Sequence, residues 1–187
     1  MNREQLAHAI CAACTITVRD SVIVIGSQSI LATWSEDELP ERATASREAD
    51  ILAEGDTPEE TRKNAELLAG VAGELSDFDD QHDFYLDGVD ESTAILPKNW
   101  RTRLVRFSNQ STVNVTTGEQ YTGWCLEPHD LCVAKLCAGR SKDLEFVAAI
   151  RDAGLVDSTL IRARLLDVPD EFRAQAERAA AVIRQWA

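Results

Sequence analysis

The sequence predicts an α+β fold: a mixed sheet flanked by helices, with a helical part at the C-terminal end. Three observations carry that expectation. Short apolar runs of the kind that form buried strands lie in the first two thirds of the chain. Helix start signals and helical periodicity dominate the last third. Strands gathered before helices suit an α+β chain better than a regularly alternating one. At 187 residues the chain is of single-domain size. The expected division is a sheet-bearing core over 1–125 and a helical part over 126–187, forming one compact unit.

Taken in order, residues 2–14 read as a helix with Leu6, Ile10 and Cys14 on one face. Residues 22–26 are a short, wholly apolar run ending in glycine, which suits a strand at the centre of a sheet. A short helix begins near Ser29, and residues 37–44, with Pro40 and many charges, read as a loop. Residues 46–52 form the second strand. Thr57-Pro58-Glu59-Glu60 is a helix start: Thr57 caps, Pro58 takes the first helical position, and Glu60 completes a capping box. That helix runs to near Leu75. Residues 84–89 and 92–96 read as two strands around a turn at Asp90-Glu91, and residues 103–107 as another. Residues 109–122 are polar and read as an exposed loop or edge. Residues 124–126 lead from a strand into a long helix that starts at Glu127 or Pro128, runs to Asp152 and is stopped by Gly154. Two further helices are expected over 158–167 and 169–186, the last with Phe172, Ala176, Ala179, Ala180 and Ile183 at helical spacing.

The net charge of −13 disfavours unspecific adhesion to nucleic acid. Residues 64–97 contain no Lys or Arg, while Lys98, Arg101, Arg103 and Arg106 follow directly. Two readings stay open: a solvated acidic loop beside a counter-charged strand, or a basic cluster flanking a phosphate-bearing substrate. No run reaches membrane-spanning length, so no membrane partner is expected. The first residues lack the layout of a secretory signal, and a cytoplasmic location is expected. The five cysteines include one C-x-x-C, Cys11 and Cys14, and read as buried thiols in a reducing compartment.

The chemistry lies in two segments. Val22-Ile23-Val24-Ile25-Gly26-Ser27 is followed about twenty residues on by Glu48-Ala49-Asp50. On a strand, Glu48 and Asp50 point to one face. Two carboxylates side by side suit a hard divalent cation, and a Gly26-Ser27 turn at a helix start offers N–H groups and a hydroxyl to phosphate. Asp87 is the candidate third acid, with Asp90 as its rival. In the second segment Lys135, Arg140 and Asp143 stand on the long helix. Lys135 and Asp143 lie two turns apart on one face, with Gly139 between them opening that face. The alternative reading of Lys135 and Asp143 is a buried ion pair tying the helix to the sheet.

The segments 26–32, 46–52, 96–103 and 124–146 resemble the nucleotidyltransferase superfamily, and the stretch 126–143 resembles its bacterial branch of AbiEii-like and MenT-like toxins. The resemblance implies a nucleotidyltransferase-like sheet and an enzyme that uses a nucleoside triphosphate (NTP) with Mg²⁺ or Mn²⁺. It implies Glu48, Asp50, Lys135 and Asp143 as catalytic residues, Lys135 serving the phosphates and Asp143 orientation or base chemistry. Gly26, Ser27, Lys135 and Arg140 would bind the nucleotide, and Glu48, Asp50 and Asp87 the metal. A tRNA or protein hydroxyl would be the acceptor, and a cognate antitoxin a partner. The sequence departs from the family pattern in two places. Glu48 stands where relatives usually carry Asp, and the connection from Ser27 to Glu48 is longer than the compact form. A non-catalytic nucleotide- or partner-binding module of the same fold is the alternative, as is an interaction protein using the acidic face.

Overall fold

The computed structural model describes residues 1–186. Helix α1 (Arg3–Thr17) opens the chain. Asn2 caps it by accepting from the Gln5 N–H, and the Gln5 side chain returns the bond to the Asn2 N–H. Five strands follow: β1 (Ser21–Val24), β2 (Glu48–Leu52), β3 (Tyr85–Gly88), β4 (Val105–Phe107) and β5 (Thr122–Cys125). They form one sheet in the order β3-β2-β1-β5-β4. β1 is antiparallel to β2 and parallel to β5, while β2 and β3 are parallel and β4 and β5 antiparallel. The mixed sheet is thus as the sequence predicts, with apolar β1 at its centre.

Helices α1 and α3 (Pro58–Ala72) pack on one face of the sheet. Gly88 shows how closely: a Cβ there would sit 2.1 Å from the Ala65 carbonyl oxygen of α3. Neighbouring strand residues face opposite ways. Asp87 therefore points to the other face, as do Glu48 and Asp50, which alternate with fully buried Ala49 and Ile51. Over that second face lie the turn of 3-10 helix Ser27–Ala32 and α5 (Pro128–Ala138), which pack on each other. The C-terminal helices α6 (Ser141–Asp152), α7 (Ser158–Leu165) and α8 (Arg173–Arg184) gather around α5.

The local differences from the sequence reading have physical reasons. The helix expected over 128–152 is two helices. Gly139 adopts φ +68° and donates its N–H to the Lys135 carbonyl, which ends α5 in a left-handed cap. Residues 92–96 form no strand. The Asp90 side chain accepts from the Ser92 N–H and starts a 3-10 turn at Glu91–Thr93 instead. Within residues 37–44 a short helix α2 (Glu41–Thr44) follows Pro40. The acidic stretch after Ser76 is not a loop but helix α4 (Asp77–His82), held by Asp79, which is buried and paired with Arg47. At the start of α3 the capping box is half formed. Thr57 accepts from the Glu60 N–H, but Glu60 turns to the Asp56 N–H and Arg19. All five cysteines are free thiols, four buried and Cys11 half-buried. Among the described residues no helix is long and apolar enough to cross a membrane.

Candidate active site

Strand register assembles the acids. Beyond the end of β1, the Ile25 N–H donates to the Asp50 carbonyl at 3.0 Å, so Gly26 passes directly beside Asp50. Across the parallel β2–β3 pair, Asp50 is the register partner of Asp87, and Glu48 lies two residues before Asp50 on the same face. Glu48, Asp50 and Asp87 each offer a carboxylate oxygen, and these oxygens lie within 4.8 Å of one another. Three oxygen donors at this spacing match the needs of a hard divalent cation such as Mg²⁺ or Mn²⁺. The extra methylene of Glu48 does not take its carboxylate out of the group. Asp90, the rival third acid, is spent on capping its own turn.

Gly26 is required by close approach. A Cβ at this position would lie 1.5 Å from Asp50 Oδ2. The glycine lets the Asp50 carboxylate rest against the backbone of the turn. Burial, with Glu48 and Asp87 beside it, pushes the Asp50 carboxyl up to about 6. Burial and then the Asp87 charge raise Glu48 as well. This mutual repulsion is what a bound cation relieves.

The second half of the site is built by the break at Gly139. Eight residues of straight helix would hold Lys135 and Asp143 about 12 Å apart along the axis. The chain instead turns at Gly139 and brings the start of α6 back beside the end of α5. Lys135 Nζ donates to Ser27 Oγ at 2.9 Å and to Asp143 Oδ1 at 3.2 Å. The ammonium also lies 4.5 Å from the centroid of the Phe146 ring. Asp143, 1 % exposed, accepts from Arg140 Nε at 2.5 Å as well. Burial alone would raise Asp143, but the Arg140 hydrogen bond and the Lys135 charge together hold it below the ordinary carboxylate range. Burial lowers Lys135 against the pull of Asp143. The ion pair anticipated as the alternative reading is therefore present. Gly139, by contrast, does not open a helix face; it ends the helix.

A cleft of about 710 Å³ takes in all eight site residues selected from the sequence: Gly26, Ser27, Glu48, Asp50, Asp87, Lys135, Arg140 and Asp143. Its remaining wall is partly apolar, with Leu131, Phe146 and Phe172 among the lining. Arg42, Ser46 and Lys142 also line it and were not selected. Reading residues 37–44 as a loop hides Arg42; Lys142, seven residues from Lys135, shares its face on a straight helix, so periodicity alone carries a signal for it. The basic cluster after residue 97 does not join the cleft. Arg101 pairs with Glu54 and Glu91, and Arg103 with buried Asp130, which also binds Arg164. His129 is structural: Nδ1 is hydrogen-bonded to Glu127, and Nε2 accepts from the Asp157 N–H at the start of α7.

Neither a curated protein nor a solved structure matches the chain. A family model described as "Nucleotidyltransferase of unknown function (DUF6036)" matches residues 5–186, nearly the whole length, and the chain belongs to that family.

Proposed function

We propose that this chain is an Mg²⁺-dependent nucleotidyltransferase that moves a nucleotide from an NTP to a hydroxyl acceptor. One observation carries the reading: three carboxylates from adjacent strands and the Ser27–Lys135–Asp143–Arg140 group face one cleft. Glu48, Asp50 and Asp87 would hold the metal, which when bound neutralises phosphate charge and favours the attacking oxygen as alkoxide. Lys135 and Arg140 meet the phosphates, and Asp143 holds both cations at fixed positions. Ser27 and the turn it begins lie against the phosphate nearest the acids. The acceptor hydroxyl gives its proton to solvent water, and its oxygen forms a bond to the α-phosphorus as the bond to the pyrophosphate oxygen breaks and pyrophosphate leaves. The protein's part is placement and charge, because the transferred group itself needs little covalent help.

Of the two acceptor classes that the resemblance implies, RNA and protein, the charge distribution favours protein. The chain carries −13, and Arg101 and Arg103 are consumed by ion pairs away from the cleft. A toxin role under the control of an antitoxin rests on the resemblance of residues 126–143 and belongs to the same proposal. The test is incubation with each α-labelled NTP, Mg²⁺, and total RNA and protein from a bacterial lysate. Label should appear in protein with wild type and not with Asp50→Asn. Equal labelling by both would defeat the assignment, and nucleotide binding without transfer would favour the non-catalytic module. Growth arrest on expression, relieved in Asp50→Asn, tests the toxin role.

A further inference from the structure

The connection between Ser27 and Glu48 is longer than a compact turn requires, and beyond its first turn it has no part in the proposed reaction. It is firmly built. Ile30 and Leu31 are fully buried, Ala43 is 1 % exposed, and the Gln28 side chain donates to the Ser46 carbonyl at 2.9 Å. Helix α2, which the connection carries, packs on α6 and on the Ser27–Ala32 turn. Ala43 anchors α2 inward, and its neighbour Arg42 lines the cleft.

Arg42 differs from Lys135 and Arg140, the two cations beside the acids. Lys135 and Arg140 are committed to Asp143, which is buried. Arg42 is paired with Glu145 of α6, and the two side chains are 48 % and 55 % exposed. Glu145 does not line the cleft, whereas Arg42 does. An ion pair this exposed is weakly held. A guanidinium binds phosphate oxygens through two parallel hydrogen bonds and prefers them to a single solvated carboxylate contact. The charged lining of the cleft consists of four acids (Glu48, Asp50, Asp87, Asp143) and four bases (Arg42, Lys135, Arg140, Lys142). It is therefore electrically balanced before a polyanion enters, and each base counts toward holding one.

The geometry points to Arg42 as a ligand of the NTP's phosphate tail, parked on Glu145 in the free protein and released to the tail when nucleotide binds. This rests on the nucleotidyltransferase reading and adds to it a residue from the long connection. The role is specific to the tail: a nucleoside monophosphate, held at the acids and Ser27, leaves Arg42 on Glu145.

Isothermal titration with Mg²⁺ and each of ATP, GTP, CTP and UTP, and with the matching monophosphates, tests this. For the tightest NTP, Arg42→Ala should weaken binding about tenfold, as expected for the loss of one charge-assisted contact. The matching monophosphate should bind within about twofold of wild type, and Arg42→Lys should recover part of the loss. Glu145→Gln should tighten NTP binding in wild type and change nothing in the Arg42→Ala background, because the two residues act through one contact. Wild-type NTP affinity in Arg42→Ala, or equal weakening of NTP and monophosphate, would overturn the role of Arg42 and leave the site reading standing. A wild-type protein that binds none of the four NTPs would defeat the site reading, and Arg42 with it.

Discussion

Replacing Asp50 by Asn should make the metal-free protein more stable and deprive it of its response to metal. The Asp50 carboxyl is raised from 3.8 to about 6 by burial and by Glu48 and Asp87. An acid whose folded pKa exceeds its unfolded one holds its proton more tightly in the folded state. Stability is therefore lost as pH rises from about 4 through about 6, and the full cost is present above that. A shift of about two units corresponds to at most about 3 kcal/mol. The side chain is only partly buried and its acidic neighbours adjust, so about 1.5 kcal/mol is the expected cost at pH 7.5. Asn keeps the shape without the charge. In EDTA at pH 7.5, urea unfolding should place Asp50→Asn about 1.5 kcal/mol above wild type, with a Tm higher by about 3–6 °C. At pH 4 the difference should largely vanish, because the wild-type carboxyl is then protonated in the fold. Mg²⁺ should reverse the order: at a hundred times its Kd it adds about 2.7 kcal/mol to wild type and nothing to the variant. A variant no more stable than wild type in EDTA at pH 7.5 would refute the repulsion argument. An Mg²⁺ shift equal to that of wild type would remove Asp50 from the metal site.

Gly26→Ala should fold but lose about two orders of magnitude in turnover, because its Cβ claims the space 1.5 Å from Asp50 Oδ2 and moves that carboxylate; single-turnover labelling alongside a thermal melt separates the two effects. Lys135→Met should abolish NTP binding in calorimetry and cost about 2 kcal/mol in urea, less than the usual cost of a broken buried pair because Arg140 still holds Asp143. Asp130→Ala should cost about 3–5 kcal/mol in the same urea assay, since Arg103 and Arg164 lose their shared buried partner, while leaving the Mg²⁺-induced shift intact.

The acids were legible because they depend on short-range rules. Alternation in β2 places Glu48 and Asp50 on one face whatever the rest of the chain does, and a glycine after an apolar strand marks a close approach. Asp87 could be nominated, but not fixed, from sequence. Its choice over Asp90 is decided by the β2–β3 register, a long-range fact, and by Asp90 closing a turn that had read as the link between two strands. The second half of the cleft comes together in the sequence reading for a reason that fails. Lys135 and Asp143 were placed together by helical periodicity, yet they meet because the helix stops. A glycine among helix formers costs only about 1 kcal/mol, so sequence alone could read Gly139 as tolerated within a helix or as its end. Arg42 was lost for a related reason: a four-residue helix after a proline has too little periodicity to show which side chain faces inward.

The break at Gly139 also bears on what Asp143 does. The resemblance leaves it two roles, orienting Lys135 or taking a proton. A general base works best with a pKa near the operating pH, and Asp143 is held below the ordinary carboxylate range by Arg140 and Lys135. It is also 1 % exposed and hydrogen-bonded to both cations, so neither its charge nor its position is available to an incoming hydroxyl. It sits beside the two cations in the cleft wall as their shared counter-ion. Lys135 and Arg140 come from either side of a helix break and would repel each other at this distance without a shared anion. Asp143 supplies that anion from the first turn of the second helix. The same residue thus accounts for the fold of the break and for the presentation of two positive charges to the cleft, which is why the structural ion pair and the proposed phosphate-binding role are compatible in one arrangement.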